Sequence, residues 1–169
     1  SRGYVPFIVP AMGSHGGGTA GGQRAVLAKL GICAETMGCE VRATMDMVQY
    51  GALADGTTCN FDAYAARASG VLVINRVKAH TSFPRPIESG LTKMLAVGLG
   101  KAGGAGQVHM SGPRGFVDAL PALAQEIIRS APITAGLALV ENAHKQLSHI
   151  ETVAPIDFAG TDKRLVDFA

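Results

Sequence analysis

The chain has 169 residues, of which 47% are hydrophobic and 17% charged, with a formal net charge of +2. That length supports one domain with a sizeable core, and that composition excludes an intrinsically disordered chain. The small net charge, the lack of a basic stripe interleaved with aromatics and the absence of Trp argue against a nucleic-acid partner, and no apolar run reaches the roughly 18 residues of a membrane span.

Taken in order, the apolar run at residues 4–12 predicts a first strand. A turn follows at once, Gly13-Ser14-His15-Gly16-Gly17-Gly18-Thr19. Residues 20–30 then have helical character, with Ala25, Val26, Leu27 and Leu30 on or near one face, and Gly31 stops them. Strand, glycine-rich turn and helix together aim backbone N–H groups at an anion. The turn is neither GxGxxG nor GxxxxGK[ST], so the standard dinucleotide and P-loop readings are weak. Residues 41–48 read as an imperfect strand. The Asp55-Gly56 signal predicts a hairpin between residues 45–53 and 58–61. A short helix is expected over residues 62–68, then a buried strand at residues 71–74, whose unbroken apolar run suits a parallel strand covered on both faces.

The stretch from Asn75 to His109 is dense in polar chemistry, and its glycines at 98–106, like those at 13–22, read as loops of special shape. Ser89 is a candidate N-cap for a core-packed helix carrying Lys93. Residues 115–130 predict an amphipathic helix with Phe116, Leu120, Leu123, Ala124, Ile127 and Ile128 inward. Residues 133–140 predict another apolar strand, residues 151–154 a short one, and Thr161 a cap for a last helix over residues 162–168. The resulting class is α/β: a three-layer domain with a mostly parallel sheet and helices on both faces. Loops at the strand ends carrying His15, residues 75–80 and Glu141-Asn142 then converge on one crevice.

His15 is an unusual bulky residue among glycines and reads as an acid/base group or ligand, against the plainer reading of a polar turn residue. His80, in Lys78-Ala79-His80-Thr81 past a buried strand and beside cations, reads as an acid/base group, imidazole being the side chain suited to that role near neutral pH; the alternative is an exposed loop histidine. Arg76, Lys78 and Arg85 suit a carboxylate or phosphate, against a solvated basic loop. Lys93 is a surface lysine or a group for covalent attachment beside helix N–H groups. His109 is a candidate metal ligand, although spacing alone establishes no metal site; His144 and His149 read as surface residues. Cys33, Cys39 and Cys59, an odd count without CxxC spacing, read as reduced thiols, with an iron–sulfur or zinc site as the rival. Residues 1–13 carry no charged region followed by a long apolar one, so no signal peptide is read there, and a cytoplasmic location is expected.

The ordered set of Gly13–Thr19 turn, Asn75-Arg76-Val77-Lys78-Ala79-His80-Thr81, Glu88-Ser89-Gly90-Leu91-Thr92-Lys93-Met94-Leu95 and His109, sixteen residues after Lys93, resembles the nickel-dependent lactate racemase family and its hydroxyacid racemase and epimerase relatives. The resemblance runs to about residue 153. It implies a racemase or epimerase of a small 2-hydroxy acid that works by hydride transfer to a nickel-pincer nucleotide, pyridinium-3,5-bisthiocarboxylic acid mononucleotide, supplied by separate cofactor-biosynthesis proteins. It implies Lys93 as the thioamide tether, His109 as the nickel ligand, and His15 and His80 as the two acid/base groups. Gly16, Gly17, Ser89, Gly90 and Thr92 become cofactor contacts, and Arg2, Arg76 and Lys78 substrate contacts. It further implies that the chain is one catalytic-type domain, the N-terminal part of a longer two-domain protein. The sequence departs from the lactate racemases, which have Gly-Gly-Arg-Lys where this chain has Gly90-Leu91-Thr92-Lys93; that bears on the phosphate contacts and suggests another substrate. The rival reading is a non-catalytic nucleotide- or anion-binding domain of the same fold.

Overall fold

The computed structural model describes residues 3–79, 87, 89–110 and 115–168, apart from the side chains of His109, Phe116 and Phe168. The chain mixes helices with several small sheets, parallel and antiparallel. Strand β1 (Phe7–Ile8) is much shorter than the apolar run suggests. Pro6 and Pro10 bracket it, and proline has no N–H for the ladder. It pairs in parallel with β2 (Glu40–Val41), and the Arg42 guanidinium lies 4.4 Å from the centroid of the Phe7 ring.

Helix α1 (Ala20–Lys29) starts as its sequence predicts, with the Thr19 hydroxyl accepting from Gly22 N. Its apolar stripe is not what it buries. Gln23 is its one fully buried residue and Leu30 is 71% exposed. Helix α2 (Ala34–Met37) follows. The hairpin forms as β3 (Met47–Ala52) against β4 (Thr58–Asp62), antiparallel, with Asp55 Oδ1 accepting from Thr57 N across the turn at 2.9 Å. Asp62 ends β4 and caps α3 (Ala63–Ala66) through bonds from Tyr64 N and Ala65 N.

Strand β5 (Val71–Arg76) pairs in parallel with β6 (Ile133–Glu141), which pairs antiparallel with β7 (Leu147–Val153). Burial alternates along β5: Val71 and Val73 face the core, while Leu72 and Ile74 are about half exposed. Helix α4 (Leu91–Lys93) runs into a π turn (Met94–Gly98), and α5 (Lys101–Met110) follows. The second glycine cluster is therefore largely helical. A Cβ at Gly98 would approach the Ala11 carbonyl, and one at Gly103 would approach the Met47 side chain, so these glycines let a helix pack close to neighbouring chain. A π turn (Gly115–Ala119) leads into α6 (Leu120–Ser130), which buries Leu120, Leu123, Ala124 and Ile127 as its periodicity predicts. Helix α7 begins earlier than expected, at Phe158 (Phe158–Phe168), so Thr161 lies inside it and is no cap. The core is centred on Phe61, Leu91, Leu95, Leu123 and Phe158, with α5 against β4 and α7 against α4 and β6.

Candidate functional site

His15 stands exposed at the start of a 3-10 turn (Gly16–Gly18). Gly16, Gly17 and Gly18 have φ of 67°, 69° and 63°, a left-handed run that L side chains avoid. Gly16 also presses on Gly22 and Gln23, leaving no room for a Cβ, whereas the space beside Gly17 and Gly18 is open. The turn is held from behind: Gln23 Nε2 donates to the carbonyls of Gly13 (2.8 Å) and His15 (3.3 Å). On its other flank, Gly13 N donates to the Gly98 carbonyl at 3.1 Å. The histidine turn is thereby bonded to the segment that follows Lys93.

The end of β5 is bonded to the same region. Asn75 Nδ2 donates to the Gly90 carbonyl at 2.9 Å. The Ser89 hydroxyl meets both Lys78 N and Lys78 O at 2.7 Å. Ser89 is consequently a clamp between two loops and not the expected N-cap; the cap position belongs to Gly90, whose φ of 102° demands glycine. Lys78 itself is exposed. Arg76 places one guanidinium nitrogen on both oxygens of Glu141, at 3.0 and 2.9 Å, so its charge is matched within the sheet.

The N-terminus of α4 does not present open N–H groups. Asp162, from α7, accepts from Leu91 N at 2.8 Å and from Thr92 N at 2.7 Å. A Cβ on Gly90 would fall on that carboxylate. Burial pushes the Asp162 carboxyl above the usual range, against the pull of the Thr92 N–H, the Thr92 hydroxyl and the Leu91 N–H. Gly90 and Thr92, expected as cofactor contacts, instead form the seat of an internal carboxylate. Lys93 follows one residue later, half-buried.

No family model matches the chain, and no curated protein matches it in sequence.

His109 lies in α5, near its C-terminal end, with its side chain outside the described residues. His80 and Arg2 also lie outside the described residues. His15, Lys78, Ser89, Gly90, Thr92 and Lys93 thus belong to segments linked by direct hydrogen bonds, while Arg76 turns to Glu141. Cys59 is buried in the core, where desolvation, aided by the charge of Glu126, pushes its thiol up to about 11; Cys33 and Cys39 are half-buried.

Four residues to which the sequence assigned no role hold these segments: Gln23, Asn75, Asp162 and Lys101. Lys101 is fully buried, its Nζ 2.7 Å from the Pro10 carbonyl and 2.6 Å from Asp62 Oδ2. It carried a legible signal, being the sole charge between Lys93 and His109. Asp162 carried none, since its partners lie 70 and 71 residues away.

Proposed function

We propose that the chain is the catalytic-type domain of a racemase or epimerase acting on a small 2-hydroxy acid, with hydride transfer to a nickel-pincer nucleotide tethered at Lys93. The observation that supports it is that hydrogen bonds join the histidine turn to the distant segment just after Lys93, and the end of β5 to the start of α4. Gly13 bonds to Gly98, Asn75 to Gly90 and Lys78 to Ser89. The same reading carries the finer architecture, a three-layer domain with helices on both faces of a mostly parallel sheet. The parallel pairs β1–β2 and β5–β6 support that architecture, and the exposed Leu72 and Ile74 weigh against it.

The residues fit the cofactor in part. Open ground beside Gly17 and Gly18 leaves room for a bound group next to His15. Lys93, half-buried just after the α4 start, suits a tether. The Leu91 and Thr92 N–H groups do not fit a phosphate, because Asp162 already takes them. Any phosphate contact therefore falls elsewhere. In this reading His109 would be the protein ligand to nickel. When bound, the nucleotide would accept hydride reversibly from the substrate α-carbon, which would spare the chain from stabilising a carbanion.

The chain's own part is proton handling and orientation. His15 removes the hydroxyl proton of one enantiomer, and His80 serves the other; imidazole suits both duties near neutral pH. The exposed Lys78 is a cation for the substrate carboxylate. Arg76 contributes less, because Glu141 neutralises it. The rival, a non-catalytic nucleotide- or anion-binding domain of the same fold, loses the α4 N-terminus to Asp162 just as the cofactor does, and would have to bind at the glycine-rich turn beside His15.

The test is co-expression of the protein with the cofactor-making enzymes. Intact mass is expected to show a nucleotide-sized adduct at Lys93, with one nickel lost on His109→Ala. Racemisation of a panel of 2-hydroxy acids is expected to fall by roughly 100-fold or more with His15→Ala, as befits loss of an acid/base group. An unmodified Lys93 under conditions that load a known racemase overturns the reading.

A further inference from the structure

Lys101 is the least expected residue in the molecule. It is fully buried, and its φ of 54° is left-handed, a conformation that glycine adopts freely and lysine does not. The residue before it is Gly100, so glycine was available to this turn. A charged side chain in such a place implies that the side chain is needed there.

Its partners show for what. Lys101 Nζ donates to the carbonyl of Pro10 and makes an ion contact with Asp62 Oδ2, an oxygen that accepts no well-aligned hydrogen bond. Pro10 lies three residues before Gly13, where the histidine turn begins. The other Asp62 oxygen caps α3. One ammonium thus ties together the end of the first strand, the β4–α3 corner and the start of α5.

We propose that Lys101 is a positioning residue, whose ammonium, held by Asp62, fixes through Pro10 the strand end that launches the His15 turn against the helix following Lys93. It touches no reacting atom. It sets where His15 stands relative to Lys93, and the activity part of its test rests on the racemase reading while the exchange part does not.

The experiment is hydrogen exchange at the Gly13, His15 and Gly18 amides, which are bonded to Gly98 O, Met12 O and Ser14 O. It uses the full chain as wild type, as Lys101→Met and as the double variant Lys101→Met/Asp62→Asn. The double removes both charges and leaves Asp62 Oδ1's cap role to the Asn oxygen, so its melting temperature is expected to recover most of what the single variant loses. Exchange in the turn is nevertheless expected to stay at least about tenfold faster than wild type, because Pro10 has lost its donor. Recovery of turn protection together with melting temperature in the double would show a merely structural pair and overturn the proposal. If Lys101→Met does not fold, the double carries the comparison with wild type alone. In loaded enzyme, kcat is expected to fall about 10-fold to 100-fold with KM nearly unchanged, the mark of a misplaced group. Loosened turn amides without any wild-type racemisation would sink the racemase reading and leave the positioning role standing. Unaltered turn amides in the double would sink the positioning role alone.

Discussion

Asp162 shows how one side chain can take a place that sequence assigns to a ligand. Its two oxygens satisfy Leu91 N and Thr92 N, which open α4 and have no partner inside the helix. Asp162→Ala leaves both donors buried and is expected to cost about 2–4 kcal/mol by chemical denaturation. The cost should depend on pH in a definite direction. Burial raises the folded-state pKa of this acid above its unfolded value. The stability linked to that shift is fully present below the unfolded pKa, near 3.8, and is lost as pH rises through the raised folded value. The gap between wild type and Asp162→Ala should therefore be widest in acid and narrow as pH climbs from about 4. Melting curves across that range check it; a gap that widens with pH would mean that the two N–H bonds to the carboxylate outweigh its desolvation.

At the scale of elements, the tie between α7 and α4 also has an apolar part. Phe158 opens α7 and is 1% exposed. A Cβ at Gly136 on β6 would meet both the Phe158 ring and Leu91 Cδ1, so these three groups touch at one point under the start of α4. Phe158→Ala is expected to cost about 3–5 kcal/mol, read from the denaturation midpoint. Periodicity made α6 and the β3–β4 hairpin legible, because both declare their buried face or their turn locally. It misread α1, whose apolar residues stay largely outward while a polar Gln23 goes in to hold the histidine turn. It also read the 98–106 glycines as loop, since glycine disfavours helix by about 1 kcal/mol and local propensity cannot register the close contacts that select it. The candidate site divides the same way. The histidine turn and the lysine segment stand out by residue type, whereas of their fasteners only Lys101 shows locally, as a lone charge; Gln23, Asn75 and Asp162 are defined by chain brought in from elsewhere.

For the whole molecule, the informative surface is the outward face of the β5–β6–β7 sheet. Leu72 and Ile74 lie opposite Ala135 and Leu137, and Leu139 lies opposite Ile150, so apolar side chains cross all three strands on that side. Among the described residues Leu72 is 50% exposed, Ile74 54% and Ile150 55%, whereas Val73 on the inner face is 3% exposed. An unbroken apolar run such as residues 71–74 reads as a strand covered on both faces, because parallel strands nearly always are. Sequence alone has no means of distinguishing a covered face from an open one when both are apolar. Mutation distinguishes them. If the outer face is open in the isolated chain, Leu72→Ser and Ile74→Ser each remove little buried area and should shift stability by no more than about 0.5–1 kcal/mol. Val73→Ala, removing two methyl groups from the core, should cost about 2 kcal/mol. Denaturation midpoints of the three variants decide the matter. Losses of equal size on both faces would mean that a further layer covers Leu72 and Ile74 and would restore the three-layer arrangement.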